Sequence, residues 1–133
     1  MSSYGMQQKV GFQHCDPAGI VFYPRYFEMF NSTVEDWFEK RVGFSFHEIH
    51  MRREEAVPTV HVDVDFKAPS RLGEILTFSL TMVKLGKSSM GLHINVSHGA
   101  ECRVQVRLTL VYVKSGLQKA QGWPDDLRVA LEK

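Results

Sequence analysis

The sequence predicts an α+β domain in which one long helix packs against an antiparallel sheet of about five strands. Between Pro24 and Val42, apolar side chains recur at steps of three and four, the period of an amphipathic helix. Between Val60 and Val113 they mostly alternate with polar residues, the period of strands with one buried face. Short glycine-containing connections separate the last three strands, so we expect these strands to be antiparallel neighbours.

The amino-terminal part is predicted to contain a short strand and the helix. Lys9 to Phe12 forms the strand, which leads into a loop at Asp16. Pro24 suits the first helical position because its missing N–H needs no partner there, and Gly43 suits the position after the last turn. The helix face expected to be buried contains Tyr26, Phe27, Phe30, Val34, Trp37, Phe38 and Val42. Phe44 to Ala56 has mixed character and can hold a short helical turn.

Four strands are predicted in the second half of the chain. They are Val60 to Phe66, Ile75 to Leu85, Ser88 to Ser97 and Glu101 to Val113. In the last of these, the side chains expected to face inward are Cys102, Val104, Val106, Leu108 and Leu110. The side chains expected on the outer face of the sheet are His61, Asp63, His93, Asn95, Arg103 and Arg107. The tail then passes Trp123 to a charged end.

A twisted sheet can curl around a single helix and cover it with its apolar face. This packing leaves the outer face of the sheet, and at least one strand edge, partly exposed. A second subunit is the usual cover for such a surface, so the sequence predicts a dimer or a higher homo-oligomer.

Length and composition limit the possible functions. The 133 residues, 44% of them hydrophobic, fit one domain spanning residues 1–133. Sixteen basic and fifteen acidic residues give a formal charge of +1 without a basic block, which argues against nucleic acid as a partner. Cys15 and Cys102 form no CxxC pair, and the first ten residues lack the apolar core of a signal peptide. No apolar run approaches the roughly 18 residues of a membrane span, so we expect a cytoplasmic protein.

The stretch from His14 to Pro24, HCDPAGIVFYP, places an aspartate in a Pro/Gly turn directly ahead of the helix. Together with Tyr26 and Phe27, it closely resembles the DPAGIVxYPxY signature of 4-hydroxybenzoyl-CoA thioesterase-like hotdog proteins. The resemblance continues through FKAPS at 66–70, LGKSS at 85–89 and Trp-Pro at 123–124, and so covers most of the chain. It implies a hotdog fold, which is a long helix wrapped by an antiparallel sheet, and an acyl-CoA thioesterase without metal or redox cofactor.

The resemblance also gives the aspartate a chemical role. A thioester hydrolase needs a group that attacks the carbonyl or activates water, and donors for the developing oxyanion. By resemblance, Asp16 is the nucleophile or the general base, and the sequence does not decide between the two. The Tyr23 N–H and neighbouring amides polarise the carbonyl, because the first amides of a helix lack intrahelical partners. Gly19 is expected to let the backbone approach the substrate closely.

Without the resemblance, Asp16 is an ordinary turn residue that accepts a hydrogen bond from the backbone N–H two residues on. Cys15 beside it has no basic partner placed by the sequence, so we expect a small packed residue and not a nucleophile. His14 is expected to be a surface or strand-end histidine. The sequence HEIH at 47–50 lacks the HExxH spacing, so no metal site is predicted.

Coenzyme A carries phosphates, which need a few cations near the site. The resembling enzymes hold the nucleotide at the predicted hairpin, so the candidate contacts are Lys87, Ser88 and Ser89, with Lys119 as a further one. The alternative for these residues is a solvated hairpin.

Two other positions concern the acyl group. Asn31 lies where, by our alignment, the 4-hydroxybenzoyl enzyme has an aspartate near the acyl hydroxyl, which puts that particular substrate in doubt. The prediction is therefore an aromatic or a short- to medium-chain acyl group. His61 is expected either to line a subunit interface near the acyl pocket or to belong to an ordinary polar strand face.

Two other functions are compatible with the same fold. One is a hotdog module that binds acyl-CoA without hydrolysing it. The other is a hotdog dehydratase, which needs a histidine with a carboxylate partner in motifs that this sequence lacks. A tetramer built from two dimers is implied by the resemblance alone.

Overall fold

The structure is a computed structural model that describes residues 3–114, 116 and 119–133. Met1 and Ser2, part of the stretch predicted to contain no signal peptide, lie outside these residues. The strands are β1 (Tyr4–Lys9), β2 (Glu55–Ala56), β3 (Thr59–Phe66), β4 (Ile75–Leu85), β5 (Ser89–His98), β6 (Glu101–Val111) and β7 (Val113–Lys114). The helices are α1 (Arg25–Trp37) and α2 (Asp125–Glu132). Neither helix has the length and apolar character that a bilayer crossing requires.

Five strands form one antiparallel sheet in the order β1-β4-β5-β6-β3. The helix α1 packs on its inner face, against alternate side chains of the central strands. These buried side chains include Leu76, Phe78, Leu80, Leu92, Ile94, Val106 and Leu108. The predicted α+β architecture, one long helix covered by an antiparallel sheet of five strands, is therefore confirmed.

The helical segment extends close to its predicted length. A wider turn over Phe38–Val42 follows α1 directly, and Gly43 ends it with a φ of 90°, which favours glycine. All of the predicted apolar face is buried except Phe27, which is half-buried, and Met29 and Thr33 join it. The mixed segment after Gly43 contains a single helical turn at Glu48–Arg52, as predicted.

At the ends of the chain, one predicted element was misplaced and one helix was not predicted. The first strand lies at Tyr4–Lys9, where it pairs with β4, and Phe12–His14 is a 3-10 turn. The hydrogen bonding to the β4 side continues for one residue beyond this strand, because the Val10 N–H donates to the Glu74 carbonyl, 2.8 Å away. The charged end of the chain forms α2, which buries Leu127 and Leu131 against the core.

Because of a β-bulge in β6, the side chains of Cys102 and Arg103 do not have the orientations predicted from the sequence. Val96 pairs with Val104 and Ser97 pairs with Cys102, so Arg103 is an extra residue without a partner in β5. Beyond the bulge, Cys102 approaches Asn95, with Sγ 3.2 Å from Oδ1. Arg103, predicted to face outward, is only 6% exposed.

The edge strand β3 is not covered within one chain. Its inner face continues that of β6, because Val62 pairs with Leu108 and Phe66 with Val104. Even so, Val62 is 36% and Phe66 48% exposed. The predicted burial of one face of this strand is therefore wrong for the single chain. The outer face of the central strands is mostly polar, and β3 contributes Val60, Val62 and Phe66 to the exposed apolar side chains of the molecule.

Candidate active site

Asp16 lies in a tight loop between the turn at Phe12–His14 and α1. The Asp16 N–H donates to the Ile20 carbonyl (3.0 Å) and the Gly19 N–H donates to the Asp16 carbonyl (2.9 Å). One carboxylate oxygen, Oδ1, accepts from the Ala18 N–H at 2.9 Å. The other oxygen has no hydrogen-bond partner among the described residues. Asp16 therefore makes the predicted turn contact and keeps one oxygen for another partner.

Tyr23 has the one free amide at the entrance to α1. The Phe22 N–H donates to His14, and the N–H groups of Arg25, Tyr26 and Phe27 donate to carbonyls three residues earlier, at 2.8 to 3.1 Å. Pro24 has no N–H. In the part of the chain that the structure describes, no oxygen accepts from the Tyr23 N–H. The neighbouring amides, which were expected to share this role, already have partners in the structure.

Gly19 adopts a φ of 78°, a conformation that side chains rarely tolerate. A Cβ atom placed there would meet no atom within 4 Å. The loop therefore needs glycine for its backbone angle and not for packing. The close approach of Gly19 to a substrate stays a prediction.

An aromatic groove borders the entrance to α1. Its lining includes Val21, Tyr23, Tyr26, Phe66 and Lys67. The Tyr23 and Phe66 rings contact edge to face, with centroids 6.1 Å apart. Tyr23 is 59% exposed, so the groove is open in the single chain. Val21 connects this groove to the loop that holds Asp16, because it forms a bridge with Cys15. Sequence reasoning missed the groove, although Phe66 and Lys67 belong to one of the segments that carry the resemblance.

The loop that contains Asp16 is fastened to the segment between β3 and β4. The Val21 N–H donates to the Ser70 carbonyl (2.9 Å), and the Leu72 N–H donates to the Gly19 carbonyl (3.0 Å). This segment contains Glu74, whose carboxylate accepts from Arg103 Nη1 and Nη2 at 2.7 and 3.1 Å. These hydrogen bonds hold the pKa of Glu74 at about 2.

The predicted nucleotide contacts lie in the β4–β5 hairpin. Lys87 is exposed, whereas Ser88 and Ser89 are half-buried. The carboxyl-terminal segment supports them: Trp123 donates its N–H to the Lys87 carbonyl (3.0 Å) and its indole N–H to the Ser89 carbonyl (3.2 Å). Arg128 donates to the Gly86 carbonyl at 3.0 Å, which adds a second cation that sequence reasoning missed. Lys119 is exposed in the same carboxyl-terminal segment.

The hairpin and Asp16 lie at opposite ends of the sheet. The Asp16 loop is attached at the start of β4, through Gly73 and Glu74, which bond to Val10. The hairpin follows the end of β4, eleven residues later. At about 3.3 Å per residue these ends are roughly 30 Å apart. One chain therefore does not bring Lys87, Ser88 and Ser89 to its own Asp16.

Asn31 and His61 lie apart from both groups. Asn31 is exposed on α1 and borders a second, largely apolar groove, whose lining includes Glu35, Phe46, His50, Val57 and Leu110. His61 is exposed on β3, opposite Thr109 of β6. Neither residue contacts the Asp16 loop.

The remaining candidates are His14, Cys15 and the HEIH stretch. His14 accepts a hydrogen bond at Nδ1 from the Gly11 N–H (2.9 Å), and half-buried Cys15 packs against the core. Ile49, inside the HEIH stretch, is fully buried. Within residues 3–114, 116 and 119–133, no three His, Cys, Asp or Glu side chains gather in a way that could hold a metal ion.

Comparison with known proteins places this geometry in a family. The model of the Thioesterase-like superfamily matches residues 10–131. A 1,4-dihydroxy-2-naphthoyl-CoA hydrolase of Synechocystis sp. is 23% identical over 124 residues, which is 93% of this chain and 89% of that protein. Two solved structures have the same hotdog fold. A 1,4-dihydroxy-2-naphthoyl-CoA thioesterase from Synechocystis has a TM-score of 0.88 at 21% identity, covering 98% of this chain and 96% of that one. The 4-hydroxybenzoyl-CoA thioesterase from Pseudomonas has a TM-score of 0.86 at 23% identity, covering 98% and 99%.

Proposed function

The chain belongs to the thioesterase-like superfamily, and we propose that it is an acyl-CoA thioesterase that hydrolyses an aromatic acyl-CoA to the free acid and coenzyme A. One observation carries the proposal. Among the residues that the structure describes, neither a carboxylate oxygen of Asp16 nor, a few residues later in the same loop, the N–H of Tyr23 has a hydrogen-bond partner. A thioester hydrolase needs these two features, an anionic oxygen and a fixed donor.

The Tyr23 N–H donates a hydrogen bond to the carbonyl oxygen of the thioester. This donor stabilises the negative charge that develops on the oxygen as the carbonyl carbon becomes tetrahedral. Because the amide is fixed at the start of a helix, the helix dipole adds to the effect.

Asp16 acts by one of two routes. As a general base, it takes a proton from a water molecule whose oxygen attacks the carbonyl carbon. As a nucleophile, it forms an acyl anhydride with the substrate, and water then hydrolyses that anhydride. In both routes the C–S bond breaks, coenzyme A leaves as a thiolate and takes up a proton, and the acyl group becomes a carboxylic acid.

We further propose that the active site forms between two chains that pair through β3. In a twofold dimer the two copies of this strand run antiparallel, so the Thr59 end of one lies beside the Phe66 end of the other. The exposure of Val62 and Phe66 supports this interface. This pairing brings the Lys87 hairpin of one chain close to the Asp16 end of its partner. The two groups can then meet between chains, although they are roughly 30 Å apart within one chain. A tetramer of two such dimers stays a prediction.

In this arrangement Lys87, Ser88 and Ser89 contact the phosphates of coenzyme A, and Lys119 adds positive charge nearby. The apolar groove beside Asn31 receives the acyl group, and His61 lies at the interface. Relatives that act on aromatic acyl-CoA substrates support an aromatic acyl group here. The reaction needs neither metal nor redox cofactor, and we place it in the cytoplasm.

The test is a hydrolysis screen of aromatic and aliphatic acyl-CoA esters, with release of the coenzyme A thiol measured. On the best substrate, Asp16→Asn should lower kcat by about 10²- to 10⁴-fold, because an amide neither attacks as an anion nor accepts the proton from water. Asp125→Asn, an exposed aspartate at the start of α2, is the matched control and should retain full turnover.

Two results would contradict the proposed function. Full turnover by Asp16→Asn would refute the role of Asp16. Calorimetric binding of an acyl-CoA by the wild-type protein, without thiol release from any ester of the panel, would identify the non-catalytic binding module instead.

A further inference from the structure

Arg103 forms the centre of a polar cluster on the far side of the loop that carries Asp16. It is the extra residue of the bulge in β6, and a bulge re-aims a side chain out of the regular alternation of a strand. Its guanidinium is thereby directed to the segment between β3 and β4. At 6% exposure, Arg103 is one of the few charged side chains buried in the described part of the chain.

The guanidinium holds three parts of that segment at once. Nη1 donates to the Pro69 carbonyl (2.9 Å), to Ser70 Oγ (3.3 Å) and to Glu74 Oε1 (2.7 Å), and Nη2 donates to Glu74 Oε2 (3.1 Å). Nε bonds to Glu101, two residues away on the same strand. Planar, two-pronged contact of this kind fixes orientation as well as distance, and lysine cannot reproduce it.

Glu74 and the Arg103 backbone complete the arrangement. Glu74 Oε1 also accepts from the Arg71 N–H at 2.7 Å, which closes the turn before β4. The Arg103 carbonyl accepts from the N–H groups of Lys67 and Ala68, at 2.8 and 3.2 Å. One residue therefore fixes both ends of residues 67–74.

This segment is hydrogen bonded to the loop that holds Asp16. Ser70 and Leu72 make the backbone hydrogen bonds to Val21 and Gly19, and Arg71 forms a bridge with Ile20. The hydroxyl of the buried Tyr26 of α1 faces Ser70, which lies close enough to oppose the rise that burial causes in the pKa of Tyr26. A displacement of residues 69–74 would therefore move the loop and the entrance of the helix relative to each other.

We propose that Arg103 and Glu74 are positioning residues for the proposed hydrolysis, and that their ion pair sets the placement of the Asp16 carboxylate relative to the Tyr23 amide. The inference rests on the proposed function. Neither side chain touches the substrate. They act through residues 69–74, which fix the position of the Asp16 loop relative to β6.

Three variants test this role. Arg103→Met removes every guanidinium contact. Arg103→Lys keeps the positive charge but loses the planar, two-pronged contact with Glu74. Glu74→Gln keeps an acceptor for the Arg71 N–H but loses the ion pair. A misplacement of about 1 Å can cost about 10²-fold in rate. We expect kcat to fall by about 10²-fold in Arg103→Met and by less in the two conservative variants. KM should change little, because coenzyme A is held elsewhere.

A matched control separates positioning from general stability. Arg53→Lys removes a guanidinium that pairs with Glu55 and Asp126 at 2.8 and 2.9 Å, far from the Asp16 loop. It should lower the melting temperature and leave kcat unchanged. In amide hydrogen exchange, residues 16–24 should exchange faster than wild type in Arg103→Lys and Glu74→Gln, but not in Arg53→Lys.

The outcomes distinguish the two proposals. If the wild-type protein cleaves no thioester, the proposed function fails, and the exchange of residues 16–24 still tests the positioning role. If Arg103→Met does not fold, the two conservative variants decide. Wild-type kcat in both of these variants, or exchange of residues 16–24 no faster than in Arg53→Lys, would overturn the inference.

Discussion

The two edges of the sheet are built differently. At one edge, β1 is short and polar, and its side chains are tied to α1. Tyr4 donates a hydrogen bond to Asp36, and Gln8 donates to the Met29 carbonyl at 3.2 Å. At the other edge, β3 is longer and exposes Val60 and Val62, 58% and 36% respectively. The side chains of the first edge contact their own chain, whereas the second edge leaves apolar side chains exposed.

This difference identifies the edge at which the proposed dimer forms. An exposed edge with apolar side chains is a site for strand pairing, and a polar edge tied to a helix is not. Substitutions at the two edges test whether this difference between β1 and β3 determines association and activity.

The largest effect is expected from a charge on the β3 edge. In Val62→Lys, each proposed dimer buries two unpaired ammonium groups, at a cost of about 3 kcal/mol or more each. The dissociation constant of the dimer should therefore rise by about 10⁴-fold or more, and turnover should fall with it. Light scattering at micromolar concentration measures the mass. Gln7→Lys on the exposed side of β1 is the control and should keep both mass and turnover.

The second prediction concerns which chains contribute to each site. Lys87→Glu alone should raise KM by about tenfold, the equivalent of about 1.4 kcal/mol. In mixed dimers of an Asp16→Asn chain with a Lys87→Glu chain, a site shared between chains leaves one complete site, so half of the activity should appear at the wild-type KM.

The reverse pairing is the control for this experiment. A chain that carries both substitutions, paired with a wild-type chain, should contain no complete site if sites are shared. It should contain one if each chain works alone. Differently tagged chains, co-expressed and purified through both tags, provide the two mixtures, and the result contradicts the shared site if the pattern is inverted.

The smallest effect is expected at the β1 edge. Tyr4→Phe should destabilise the protein by about 1 kcal/mol, because it removes a hydrogen bond to a carboxylate. That hydrogen bond keeps the pKa of Asp36 below its usual value. The stabilisation is therefore present above about pH 4 and is lost as the pH falls through the lowered pKa.

Urea unfolding at pH 7 and at acidic pH measures this effect. The difference between wild type and Tyr4→Phe should shrink as the pH is lowered. Dimer mass should stay the same in both proteins. A variant that dissociates would show that the β1 edge also takes part in association.

Much of the fold is local enough to be predicted from sequence. The alternation in β4 and β5 and the helical period after Pro24 each reflect one buried face, so neighbouring residues carry the signal. The strand at Tyr4–Lys9 was missed because its residues, YGMQQK, have little strand preference, and pairing with β4 determines its structure.

The candidate site was predictable only in part. Asp16, Gly19 and Tyr23 lie in one short motif, and the structure places them in one loop. Arg103 was misplaced because a bulge depends on the pairing of two strands, and a shift of one position reverses the direction of the side chain. The free Tyr23 amide is not readable from sequence either, because it depends on which carbonyls its neighbours reach.

Trp123 and Arg128 contact the Lys87 hairpin, and this affects the order in which parts of the protein can fold during synthesis. Synthesis proceeds from the amino terminus, so the hairpin leaves the ribosome before the residues that brace it. The Asp16 loop has all of its contacts once Arg103 has emerged. A nascent chain can therefore complete the contacts of the Asp16 loop before those of the Lys87 hairpin.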